Sequence, residues 1–141
     1  MNEAIFSAAS LAAIVGWLCL ALAATLRANV LRQRLLLTAG CVIPLTLCLL
    51  YTCLLIIHWR SANGGGFSSL SAVVALFSAP GKMLGGWTHF LAFDLLVGWW
   101  IVDNTLAKGR SRLPLCWVLP ATFMYGPLGL LLHTMGRTLL R

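Results

Sequence analysis

Apolar residues run along this chain in four long blocks, separated by short basic or glycine-rich stretches. A helix needs about 20 mainly apolar residues to cross about 30 Å of hydrocarbon. The blocks therefore predict spans over 5–25, 35–57, 84–102 and 115–135. A cleaved signal peptide competes for the first block, since Ala21-Leu22-Ala23 resembles a cleavage site. Its leading residues hold Glu3 and no Lys or Arg, and the block exceeds an ordinary signal core, so the pattern favours a retained span. Pro44 inside the second block is tolerable in a membrane helix packed by neighbours. Residues 67–83 place Leu70, Val73, Val74 and Phe77 at helical spacing among serines. That segment is too short to cross and predicts an interfacial or re-entrant piece. Ser61 to Gly66 reads as a turn. The expectation is an all-α integral membrane protein: one domain over 1–141, a four-helix bundle with a short segment between the second and third spans.

Composition supports this and excludes a soluble domain. Of 141 residues, 60% are hydrophobic and 9% charged, with mean hydropathy +0.93, whereas soluble domains carry about 25% charged residues. Lys and Arg number ten against three acids, Glu3, Asp94 and Asp103. A nucleic-acid partner would call for a basic face, but these cations cluster between apolar blocks, as topology determinants do. With four spans, Arg27, Arg32, Arg34, Lys108, Arg110 and Arg112 share one side, and Arg60, Lys82, Arg137 and Arg141 the other. The positive-inside tendency then predicts both termini outside the cytoplasm, and the expected setting is a bacterial inner membrane. Cys19, Cys41, Cys48, Cys53 and Cys116 lie in apolar runs without CxxC spacing and read as small apolar residues.

An ionisable residue at hydrocarbon depth costs about 2.5–3.5 kcal/mol on insertion scales and marks a functional candidate. Asp94 sits near the centre of the third span. Depth along straight spans places His89 about 5 Å, His133 about 12 Å and His58 about 16 Å from the midplane, all toward the Glu3 side. These four residues form a candidate metal set, with Fe(II) preferred to Zn(II), since imidazole and carboxylate suit both. His89 and Asp94 are five residues apart, about 140° around a helix, and could flank one pocket wall. Trp87, Phe90, Phe93 and Tyr125 are candidates to line a groove for an apolar ligand, while Trp99, Trp100 and Trp117 fit the interfacial belt. Gly85, Gly86, Gly98, Gly126 and Gly129 permit close helix approach. Walker, nucleophile-elbow and dinucleotide motifs are lacking.

The W-x-H-x4-D run Trp87–Asp94, the following Trp100-Ile101-Val102-Asp103, and Gly126-Pro127-Leu128-Gly129 with His133 resemble the neoxanthin-synthase (abscisic acid deficient 4) family. The resemblance spans most of the chain and carries over Trp87, His89, Asp94, Asp103, Gly129 and His133. It implies action on a carotenoid: an epoxide-opening isomerisation that yields an allene. An acid must then protonate the epoxide oxygen while a base takes a proton elsewhere. Asp94 would be the acid, and His89 or His133 the base or a metal ligand, with a Lewis-acidic metal as substitute. Two other readings stand beside it: a histidine-ligated non-haem iron oxygenase releasing apocarotenoid or retinal, and a non-catalytic carotenoid-binding or assembly subunit. Expected partners are a carotenoid or other polyene, membrane lipids and a second copy of the chain, with no nucleic acid.

Overall fold

A computed structural model describes residues 1–60 and 65–139, with backbone alone for 137–139. The turn expected at Ser61–Gly66 falls largely outside the described residues. All regular elements among these are helical: α1 (Asn2–Thr25), α2 (Val30–Leu37), a π-helical turn (Thr38–Val42), α3 (Ile43–Ile57), α4 (Leu70–Phe77), α5 (Pro80–Ala107), α6 (Leu115–Met124) and α7 (Gly126–Leu139). Three helical stretches are long and apolar enough to cross a membrane: α1, the continuous Val30–Ile57 rod and α5, of 24, 28 and 28 residues.

Local chemistry sets several boundaries. The Asn29 side chain accepts from the Arg32 N–H at 2.8 Å, so the second rod starts at Val30 and carries Arg32 and Arg34 in its first turns, not in a loop. Pro44 has no N–H and its ring crowds the preceding turn; the widened π turn directly before it accommodates both. The Ser69 hydroxyl caps α4 through Ala72 N–H at 3.2 Å. Leu70 and Val74 of this helix are exposed, as suits a short interfacial segment. Pro80 opens α5, where its missing N–H costs nothing, and the helix runs on through Asp103 to Ala107.

α5 is the central element. α1 runs parallel to it: Phe6 meets Trp87, Gly16 meets Leu95 and Trp17 meets Gly98. A buried stripe of Ala9, Ala13, Gly16 and Leu20 lets the two helices approach closely. The second rod runs antiparallel, with Gly40 against Trp99 and His58 against Gly81. The bundle therefore has two ends: the N-terminal face, where α1 and α5 begin, and the arginine face, where they finish.

The expected straight fourth span is replaced by a hairpin. Seven residues of straight helix advance about 10.5 Å, yet a Cβ on Gly129 would lie 2.6 Å from the Cα of Thr122. The chain thus reverses at Tyr125. α6 descends from the arginine face to bring Phe123 against Trp17, ring centroids 5.5 Å apart. α7 then starts beside Asp94 and returns to set His133 edge-on to Trp100 at 5.6 Å. Pro127 cannot donate to α6, and Gly126 fits a crowded junction, so Gly-Pro ends one helix and starts another. The cores record the consequence. Leu115, Val118 and Leu119 of α6 join a cluster with Leu20, Leu95, Ile101 and Val102 on the arginine half. The cluster nearer the N-terminal face, Ala9, Ala13, Leu47, Leu91 and Ala92, takes nothing from α6 or α7.

Candidate functional site

Asp94 lies at the midpoint of α5, level with the hairpin tip. Its side chain is buried, and its carboxylate accepts a hydrogen bond from the Gly126 backbone N–H. Gly126 is the first residue of α7, whose opening N–H groups have no acceptor within their own helix. Asp94 therefore caps α7 from a neighbouring helix, with a negative or dipolar oxygen at the positive helix end. A Cβ on Gly126 would fall onto the Asp94 carboxylate, so the close approach requires glycine. Asp94 Oδ2 is buried and has no hydrogen-bond partner among the described residues.

From Asp94 toward the N-terminal face, Phe90, Trp87 and Met83 follow at spacings of four, three and four, one stripe of α5. Trp87 packs between Phe6 and Phe90, at centroid distances of 5.5 and 5.6 Å, and its indole N–H donates to the Ser10 hydroxyl at 3.1 Å. The stripe opens into a cleft of about 310 Å³ lined by Glu3, Phe6, Met83 and Trp87. Because the hairpin occupies only the arginine half, this stripe lies below its tip, on the half whose core takes nothing from α6 or α7.

The other expected site residues lie elsewhere. His89 is exposed on the opposite side of α5, stacked on Phe93 at 4.5 Å and near Tyr51 at 5.4 Å. It does not share a pocket wall with Asp94, as their 140° separation permits. His58 lies over Gly81 at the N-terminal face, and Glu3 lines the cleft there. His133 is buried beside Trp100 on the arginine half. The expected convergence of Glu3, His58, His89 and His133 is thereby corrected: it assumed a straight fourth span, and the reversal at Tyr125 carries His133 to the other half. Among the described residues no group of three or more His, Cys, Asp or Glu side chains could hold a metal ion. Tyr125 is exposed at the tip, Phe93 accompanies His89, and Asp103 is half-buried near the arginine face.

Sequence reasoning missed two contacts. One is the Gly126 N–H as Asp94's partner, signalled by Gly-Pro in mid-block. The other is Arg112, whose Nη1 donates to the carbonyls of Ala24, Thr25 and Leu26 at 3.2, 3.2 and 2.8 Å. Those carbonyls end α1 and lack partners within it.

The family model described as ABA DEFICIENT 4-like matches residues 4–133. The chain belongs to this family. The match takes in α1, the second rod, α5 and the hairpin as far as His133, so the Asp94–Gly126 pair lies within it. No curated protein and no solved structure matches the chain. ABA DEFICIENT 4-like membership fits a carotenoid-related role at the level of the family, and three membrane-length apolar helices fit a membrane setting for it.

Proposed function

We propose that this ABA DEFICIENT 4-like protein isomerises a carotenoid epoxide or related polyene inside the bilayer, with Asp94 as the proton-transferring group. The observation that carries this reading is the divided carboxyl: one oxygen is fixed by the Gly126 N–H, while buried Oδ2 has no partner among the described residues. Capping alone needs only an acceptor, which a neutral amide would supply without a titratable group at this depth. Met83, Trp87 and Phe90 continue the Asp94 stripe of α5 with apolar side chains toward the N-terminal face, where a polyene could lie.

The chemistry balances on one carboxyl group. A protonated Asp94 donates from Oδ2 to the epoxide oxygen as its C–O bond breaks. A proton leaving the adjoining polyene carbon returns to the carboxylate, so substrate composition is unchanged. His89, on the far side of α5, takes no part in this scheme.

The test is expression in a carotenoid-producing host with pigment chromatography. Asp94→Asn keeps an acceptor for Gly126 N–H, so the protein should accumulate while conversion falls by about 100-fold or more. Full conversion by Asp94→Asn would overturn the assignment. Trp87→Ala should lower conversion, and His89→Gln should leave it near wild type.

The same reading places the chain in a cytoplasmic membrane with three full spans and a half-depth hairpin. The hairpin returns Arg137 to the side of Arg27, Arg32, Arg34, Lys108, Arg110 and Arg112. Seven cations then face Arg60 and Lys82 on the other side, with Arg141 outside the described residues. By the positive-inside rule the arginine face is cytoplasmic, so the amino terminus lies outside and α7 ends inside.

A further inference from the structure

We propose that the groove between α1 and α6 holds one anionic phospholipid, its phosphate at Arg112 and an acyl chain along the helices. The groove has a volume of about 700 Å³ and is walled by Ile14, Leu18 and Ala21 of α1 and by Cys116 and Phe123 of α6. It is separate from the Met83–Asp94 stripe, which lies on the other half of the bundle, and the proposal stands independently of the isomerase reading.

Three observations select the occupant. The first is length. The α1 wall runs from Ile14, at the middle of that helix, to Thr25 at its end, a rise of about 16 Å. That is about half of the 30 Å hydrocarbon layer, the depth of one leaflet and of one lipid chain. A polyene that crosses the bilayer would overrun the groove. The second is the cation at its headgroup end. Arg112 spends only Nη1 on the α1 carbonyls, and its fork geometry presents further N–H donors suited to phosphate. The third is charge. The arginine face, where the headgroup end of the groove lies, carries the cation excess described above. Apolar walls, a one-leaflet depth and guanidinium groups at the interface together match a phosphate-bearing lipid with net negative charge.

Native mass spectrometry of the detergent-purified full chain tests this, by titration with dioleoylphosphatidylglycerol or dioleoylphosphatidylcholine. One phosphatidylglycerol per chain should be retained about fivefold more strongly than phosphatidylcholine for each cation that meets the phosphate. Arg112→Gln should erase that preference. Ala21→Trp fills the groove without touching Arg112 and should expel both lipids while the unfolding temperature stays near wild type. Glycerol phosphate, which lacks chains, should not compete. Equal retention of the two lipids, unaltered binding by Ala21→Trp, competition by glycerol phosphate, or one-for-one displacement by a carotenoid would each overturn the proposal.

Discussion

The α6–α7 hairpin is fastened at its base and at its tip by charged side chains that serve another helix, and the two fastenings differ in depth. At the base, Arg112 gives three hydrogen bonds to the end of α1 near the headgroups. At the tip, Asp94 receives one bond from the start of α7 at the middle of α5. Water and lipid headgroups can replace a lost donor at the base. The tip lies at the buried midpoint of α5, where a bare helix end at hydrocarbon depth would be costly. The number of bonds is thus a poor guide to their importance, because depth sets the alternative available when a bond is lost. Both groups keep capacity in reserve, Arg112 in the donors other than Nη1 and Asp94 in Oδ2, but only the oxygen lies at mid-depth.

This comparison breaks most completely if the hairpin does not exist. A reporter fused after residue 141 should read the same side of the membrane as one inserted between Lys108 and Arg112. Opposite sides would mean a fourth full span and would remove both fastenings at once. Next in size is Gly129→Leu, whose side chain must displace the Thr122 backbone. Such overpacking against a rigid neighbour costs about 3 kcal/mol, measured as lost folded yield or a lowered unfolding temperature in detergent. At the tip, Asp94→Ala removes the cap and should cost about 1–2 kcal/mol, while Asp94→Asn should stay close to wild type in stability. If both unfold equally, the carboxyl's charge matters to the fold and its capping role is mis-stated. The smallest effect is expected for Arg112→Gln, about 1 kcal/mol or less, because solvent reaches the freed carbonyls. A larger loss there than for Asp94→Ala would reverse the comparison.

How much was legible in the sequence differs along the chain. Hydropathy located the three long helices, since each must satisfy its backbone internally whatever its neighbours do. It shortened their ends: Arg32, Arg34, Lys82 and Asp103 look like loop residues in a hydropathy pattern, yet their backbones continue the helices. Asp94 stood out because a carboxyl in an apolar block is costly without a purpose. Its partner did not, because Gly126 contributes a backbone N–H and no side chain. The histidine set failed because depth alone does not fix which side of a helix a residue faces, as His89 shows, and because of the hairpin, as His133 shows. Depth was counted along straight spans, and Gly126-Pro127, visible as a break, gave no sign of whether the chain bends or reverses.

Composition and periodicity alone determined that this is an all-helical, membrane-type chain, that its acids are few, and that Asp94 is the one at mid-depth. Those properties follow from the transfer energy of each residue and the fixed rise of a helix. The tertiary structure decided which residues meet: His133 with Trp100, and Asp94 with the first N–H of α7. Such pairings depend on the direction taken after Tyr125, which the hydropathy pattern leaves open and which goes with the close approaches of Gly126 to Asp94 and of Gly129 to Thr122.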